Sequence, residues 1–163
     1  MPEVFQNILR LQIFRRYGIL LMGDIMRNDT IQARELLISG QHTCVLCKHS
    51  KVLTDNRRGV KPLLDLLEQD LTGFSAADKV VGKAAALLYR LIGIAELYAG
   101  VISEPAIRVL EAGGISVFYD IKVPAIRNRT NTGFCPMETA VWETEDPALA
   151  PTILRSTLEQ LTK

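Results

Sequence analysis

The chain has 163 residues, with 19 Lys plus Arg against 18 Asp plus Glu, a formal net charge of +1 and a hydrophobic fraction of 48%. One domain of this length buries about two-thirds of its unfolded surface without needing a staple, and the near-neutral balance gives no argument for a nucleic-acid polymer or an acidic partner, so any phosphate site must be local. Three cysteines without a secretory leader predict free thiols and a cytoplasmic protein, and no apolar run approaches the ~18 residues of a membrane span.

In chain order, Val4, Phe5, Ile8, Leu11 and Phe14 keep roughly helical spacing with Arg10, Arg15 and Arg16 between them, until Gly18 interrupts. This predicts an N-terminal helical extension, residues 1–22, outside a domain spanning 23–163. The extension would pack on that domain or on a second subunit of a homodimer; a membrane-surface helix is the rival reading of the same stripe. A second helix over 22–37 follows, ended by Gly40.

Residues 41–49 hold both histidines and two of the three cysteines. Cys-x-x-Cys flanked by histidines has the atoms for zinc, but Val45-Leu46 lacks the Gly or Pro on which knuckles turn. Read as a strand, period two puts His42 and Cys44 on one face and Cys47 and His49 on the other, so the four cannot converge. The expectation is a hairpin, turning at His49-Ser50 and returning over 51–53. Beyond the 55–59 breaker, Pro62 suits the first turn of a helix through Leu67. Arg57, Arg58 and Lys61 near that helix start offer either a phosphate contact or a solvated charged loop.

The alanine- and leucine-rich run behind Ser75 predicts a buried helix over 76–91, capped by Ser75 with Asp78. On that helix Lys79, Lys83, Ala86 and Arg90 share a face, which reads as a solvated basic stripe. Gly82 argues against it, since an interior glycine costs about 1 kcal/mol relative to alanine and suits a close approach of backbone or ligand. Lys83 is therefore a candidate functional amine. The run 97–102 reads as an interior strand, and Glu104-Pro105 opens a helix through Leu110 that the Gly113-Gly114 pair ends before a strand over 115–119, with an extension near 123 as an open alternative. Glu104 suits a helix N-terminus and also the carboxyl edge of a sheet, where open α/β folds bind ligands.

Pro136 suits the first position of a helix through about Trp142, with Cys135 at its N-cap or just before it and Glu138 in its first turn. A thiol there is a candidate nucleophile, or an inert buried cysteine. The polar loop 128–132 carries donors for a base or ribose, and Arg127 and Arg129 suit a phosphate. Residues 147–161 read as a closing amphipathic helix.

Three runs, Gly-Val-Lys-Pro-Leu-Leu (59–64), Asp-Lys-Val-Val-Gly-Lys-Ala-Ala-Ala-Leu-Leu (78–88) and Asn-Arg-Thr-Asn-Thr-Gly-Phe-Cys-Pro-Met-Glu (128–138), resemble a small bacterial family of unknown function with a cytidine-deaminase-like fold; the resemblance covers roughly residues 34–141. It implies a three-layer α/β/α sandwich on a mixed sheet. Zinc deaminases carry His-x-Glu, then Pro-Cys-x-x-Cys; laid on this chain, those positions hold Val81, Lys83, Ala106 and Val109, so the resemblance implies the fold without the zinc ligands, and places Lys83 where those enzymes keep their proton-shuttling Glu. The expected function is zinc-independent binding of a nucleotide-like small molecule. Lys83, Cys135 and Glu104 would be catalytic groups and Asp78, Lys79, Lys61, Arg129, Asn131, Thr132 and Glu138 would bind ligand, with Lys83 paired to Glu104 and sharing a pocket with Cys135. No metal or cofactor is expected. The alternative is a non-catalytic binding or regulatory module on the same degenerate fold.

Overall fold

A computed structural model describes residues 25–163; the predicted extension over 1–22 lies outside the described residues. In chain order they form α1 (Asn28–Ser39), β1 (Cys44–Lys48), β2 (Lys51–Asp55), α2 (Lys61–Leu66), β3 (Ser75–Val81), α3 (Lys83–Ile92), β4 (Glu96–Ser103), α4 (Glu104–Ala112), β5 (Ser116–Val123), α5 (Pro136–Ala140), a 3-10 turn at Pro147–Leu149 and α6 (Ala150–Leu161). The strands make one mixed sheet in the order β2-β1-β3-β4-β5. β1 pairs antiparallel with β2 and β3, while β3, β4 and β5 run parallel.

The sheet has a core on each face. Ala33 and Leu37 of α1 cover Val45, Cys47, Ala77 and Tyr98. On the other face α3 is the central helix, buried from Lys83 through Tyr89, and Leu63 of α2, Leu110 of α4, Met137 of α5 and Leu154 of α6 close around it. Cys44 belongs to one core and Cys47 to the other, so the period-two reading of the Cys-x-x-Cys run holds and the two thiols point apart.

The main correction falls on residues 75–92. The expected helix over 76–91 is a strand, Ser75–Val81, then a helix, Lys83–Ile92, with Gly82 in extended conformation as the corner between them. Ser75 therefore caps nothing and Lys79 shares no helix with Lys83. Helix propensity in an alanine run is a weak preference that tertiary context overrides. Here β3 is a central strand sandwiched between two helical layers, and Ala76 and Ala77, facing opposite cores, are small enough to let both layers close on it. The basic stripe dissolves with the helix: Lys83 and Ala86 are buried.

Both parallel crossovers turn sharply from strand to helix. Gly82 alone links β3 to α3, and β4 passes to α4 at Ser103, whose hydroxyl caps α4 by accepting from the Ala106 amide at 3.3 Å. A side chain at Gly100 would meet the Lys79 carbonyl oxygen at 2.9 Å, which accounts for glycine where β4 passes the end of β3. As expected, Glu104 and Pro105 open α4, Cys135 is the N-cap of α5 with Pro136 first in the helix, and the hairpin turns at His49, in left-handed conformation.

Candidate functional site

The carboxyl ends of β2 and β3 and the start of β1 meet at one edge of the sheet, because Cys44 stands opposite Asp55 on one side and Asp78 on the other. Ligands of open α/β sheets gather beyond such an edge. A cleft of about 820 Å³ opens there between the loop that follows β2, the N-terminal turns of α2 and α3, the loop over 126–135 and the end of α6. Its walls are largely apolar, with Val60, Leu63, Ala85, Met137 and Leu158 among them.

Five cationic side chains, Arg57, Arg58, Lys79, Arg127 and Arg129, and two carboxylates, Asp78 and Glu138, line this cleft. Arg57 is committed: it grips Asp55 at 2.6 Å and Asp65 at 2.8 Å, tying the loop to α2 and holding both carboxyls below their usual range. Arg127 donates to the Asn131 side chain at 2.6 Å and lies over the Phe134 ring. Among the described residues, Arg58, Lys79 and Arg129 form no ion pair.

Asp78 is half-buried on the cleft floor. Its Oδ2 accepts from the Tyr89 hydroxyl at 2.7 Å and its Oδ1 from the Val80 amide at 3.1 Å. Burial pushes its carboxyl up to about 6, against the opposing pull of those two donors and, least of the three, of the Lys79 amide. Burial, then the neighbouring Asp78, lift the phenol of Tyr89 well above its ordinary value, and the same pair of causes raises the Cys44 thiol. Cys44 and Asp78 on the cleft lining interact with each other and with the fully buried Tyr89 behind them, and perturbed ionisable groups beside a cleft are a pattern that marks functional sites. The sequence reading weighed Cys44 only as a zinc ligand and passed over Tyr89. Splitting residues 75–92 at Gly82 would have revealed them, since it puts Asp78 at the end of a strand with Cys44 beside it.

Glu138 also lines the cleft but is fully engaged. Its carboxylate accepts from the Lys83 amide at 2.9 Å, the Ile126 amide at 2.6 Å and the Ser103 hydroxyl in a short hydrogen bond. It thereby caps α3 from α5 and ties the end of β4 to the loop. Glycine suits this corner, since a side chain there would press on the carboxylate oxygen at 3.3 Å and on Ile126 at 3.1 Å.

Lys83, expected two turns inside a helix, is the first residue of α3 and is buried. Gly82, Ala84 and Ala85 line the cleft, whereas Lys83 does not. Its ammonium donates to the Trp142 carbonyl at 2.6 Å and pairs with the exposed Glu145 at 3.0 Å. The expected pair with Glu104 does not form. Glu104 is half exposed and faces Lys122 at 3.9 Å, away from the cleft. Lys61 pairs with Asp65 and also lies outside the lining. Asn131 and Thr132 are consumed within their own loop: Asn131 receives Arg127, and the Thr132 amide and hydroxyl serve Asn128. Of the sequence-predicted residues, the cleft gathers Asp78, Lys79, Arg129, Cys135 and Glu138 and leaves out Lys83, Glu104, Lys61, Asn131 and Thr132.

Comparison with curated proteins finds no match. Among solved structures the chain is similar to a crystal structure of a DUF1893 family protein, TM1506, from Thermotoga maritima, with a TM-score of 0.71 and 24% sequence identity over 88% of this chain and 98% of that one. At that identity the likeness establishes the α/β fold and nothing of the chemistry. A family model described as a domain of unknown function, DUF1893, matches residues 32–158, which run from within α1 to within α6 and include every cleft-lining residue except Leu161, and the chain belongs to that family.

Proposed function

We propose that this protein binds a phosphorylated, nucleotide-like small molecule in the cleft at the carboxyl edge of the sheet. The observation that carries this reading is the combination of apolar walls with Arg58, Lys79 and Arg129, three cations that no carboxylate neutralises among the described residues. Cations without partners beside a cleft suit an anionic group, and apolar walls suit the faces of a ring.

The cytidine-deaminase-like fold belongs to the same proposal. Two features support it: the alternation of strand and helix from β3 to α4, and the placement of Val81 and Lys83 around a strand-to-helix corner, where such enzymes begin their His-x-Glu helix. Zinc-independent action follows from residue chemistry, since Val81, Ala106 and Val109 bear no ligand atoms. Catalysis by Lys83 loses support, because its ammonium is engaged by Trp142 and Glu145 outside the cleft. Cys135 keeps a half-buried thiol on the cleft wall and remains the candidate nucleophile. The engagement of Lys83 favours the second reading, a binding or regulatory module without catalysis.

Thermal melts across nucleoside monophosphates, nucleosides and sugar phosphates test the proposal. A ligand at a hundred times its Kd stabilises the fold by about 2.7 kcal/mol, so phosphorylated compounds should raise the Tm by several degrees and nucleosides by less. Arg129→Ala with Lys79→Ala should abolish the rise. No rise with any phosphorylated compound, or one that survives the double variant, would overturn it. Chromatography of the bound compound after incubation separates enzyme from module: a converted product supports the first, unchanged ligand the second.

A further inference from the structure

Resting on that binding reading, we infer that Asp78 reads the base of the nucleotide and that guanine is the base it fits best. An ionised carboxylate offers about four acceptor positions. At Asp78 the Tyr89 hydroxyl fills one on Oδ2 and the Val80 amide one on Oδ1, so each oxygen retains an acceptor position. No cation pairs with Asp78 among the described residues; the Tyr89 phenol from α3 and the Cys44 thiol from β1 stand beside it, and Asp55 and Arg57 act on that thiol. A carboxylate on a cleft floor, short of a cation and with one vacancy on each oxygen, is complementary to two adjacent N–H donors, which bind a carboxylate bidentately.

Among the common bases, guanine alone turns such a pair outward, N1–H beside the N2 amino group. Adenine and cytosine set an acceptor beside their amino group, and uracil sets its single N–H between two carbonyls. Val60, Leu63 and Met137 supply apolar surface for the ring faces, and Arg58, Lys79 and Arg129 take the phosphate at the mouth. A site that holds an N–H by a buried acceptor rejects the analogue lacking it, because that acceptor is then left unpaired.

The experiment is calorimetric titration of the full chain, wild type and Asp78→Asn, with GMP, IMP, AMP, xanthosine monophosphate and ribose 5-phosphate. IMP lacks the N2 amino group and isolates its contribution. Wild type should bind GMP about tenfold or more tightly than IMP or AMP. Asparagine replaces one acceptor by a donor, matching the N1–H and C2 carbonyl of xanthine, so Asp78→Asn should weaken GMP about tenfold or more and reverse the order of GMP and xanthosine monophosphate. Equal binding of all five compounds, unchanged in the variant, overturns the guanine assignment and leaves the phosphate-binding proposal standing. Absence of binding by any of them overturns both. Should Asp78→Asn lose its cooperative melt, the wild-type ratio of GMP to IMP decides alone, and a ratio near one overturns the inference.

Discussion

Two carboxylates reach the same cleft and are held in different ways. Glu138, on α5, is 2% exposed and receives three donors drawn from α3, β4 and the loop that precedes α5. Asp78, at the end of β3, receives two, from its own strand and from α3, and burial lifts its carboxyl to about 6. The contrast separates architecture from function. A buried carboxylate whose acceptor positions are spent on backbone and hydroxyl donors stitches elements together and has little left for a ligand. One left under-satisfied on a cleft floor is kept at a cost to stability, the usual mark of a site shaped for something other than folding.

Removing Glu138 should produce the largest effect. Glu138→Ala strands the Lys83 and Ile126 amides and the Ser103 hydroxyl in a buried region, and the expected loss is about 3–5 kcal/mol by urea denaturation. A loss below about 1 kcal/mol would mean that the three donors find other partners and that the contrast with Asp78 is not real.

Asp78→Asn should act in the opposite direction. Folding raises this carboxyl from 3.8 to about 6, so the folded state holds more protons than the unfolded between those values. Stability contributed by Asp78 therefore falls as pH rises through roughly 4 to 6 and stays low above that window. The amide variant escapes the penalty and should be about 1–3 kcal/mol more stable than wild type at pH 7.5, with the difference vanishing near pH 4. Denaturation at the two pH values checks this; a destabilised variant at pH 7.5, or a gain of the same size at pH 4, contradicts it.

The smallest effect is kinetic. Burial pushes the Cys47 thiol up to about 11 and raises Cys44 further, while Cys135 is half-buried at the cleft. Alkylation at pH 8, followed by mass spectrometry, should modify Cys135 first and the other two only on unfolding. Comparable rates at all three would contradict the difference in burial between Cys135 and the other two thiols.

Much of the fold was legible because its signals are local. The hairpin with its turn at His49, the Pro62 start of α2, the Glu104-Pro105 start of α4 and the Cys135-Pro136 start of α5 all follow from residues acting on their own backbone. Residues 75–92 were misread because what makes β3 a strand is non-local: β1 on one side, β4 on the other, and helices on both faces that leave space only for Ala76 and Ala77. That error carried Lys83 into a helix interior and hid the neighbourhood of Asp78, Cys44 and Tyr89. The loop over 128–132 misled for another reason. Composition shows that Asn131 and Thr132 can donate and accept, but not that Asn128, Arg127 and the left-handed backbone at Asn131 have already used them.

The most direct measurement is a two-dimensional amide NMR titration of the full chain with GMP. The assignment of the cleft as the ligand site, with Asp78 at its floor, predicts that the largest shifts fall on Val80, Gly82, Arg129 and Cys135, with little movement at Glu104 or Lys122 on the half-exposed pair outside the lining. Shifts centred on Glu104 and Lys122, or a spectrum unmoved at millimolar GMP, would contradict it.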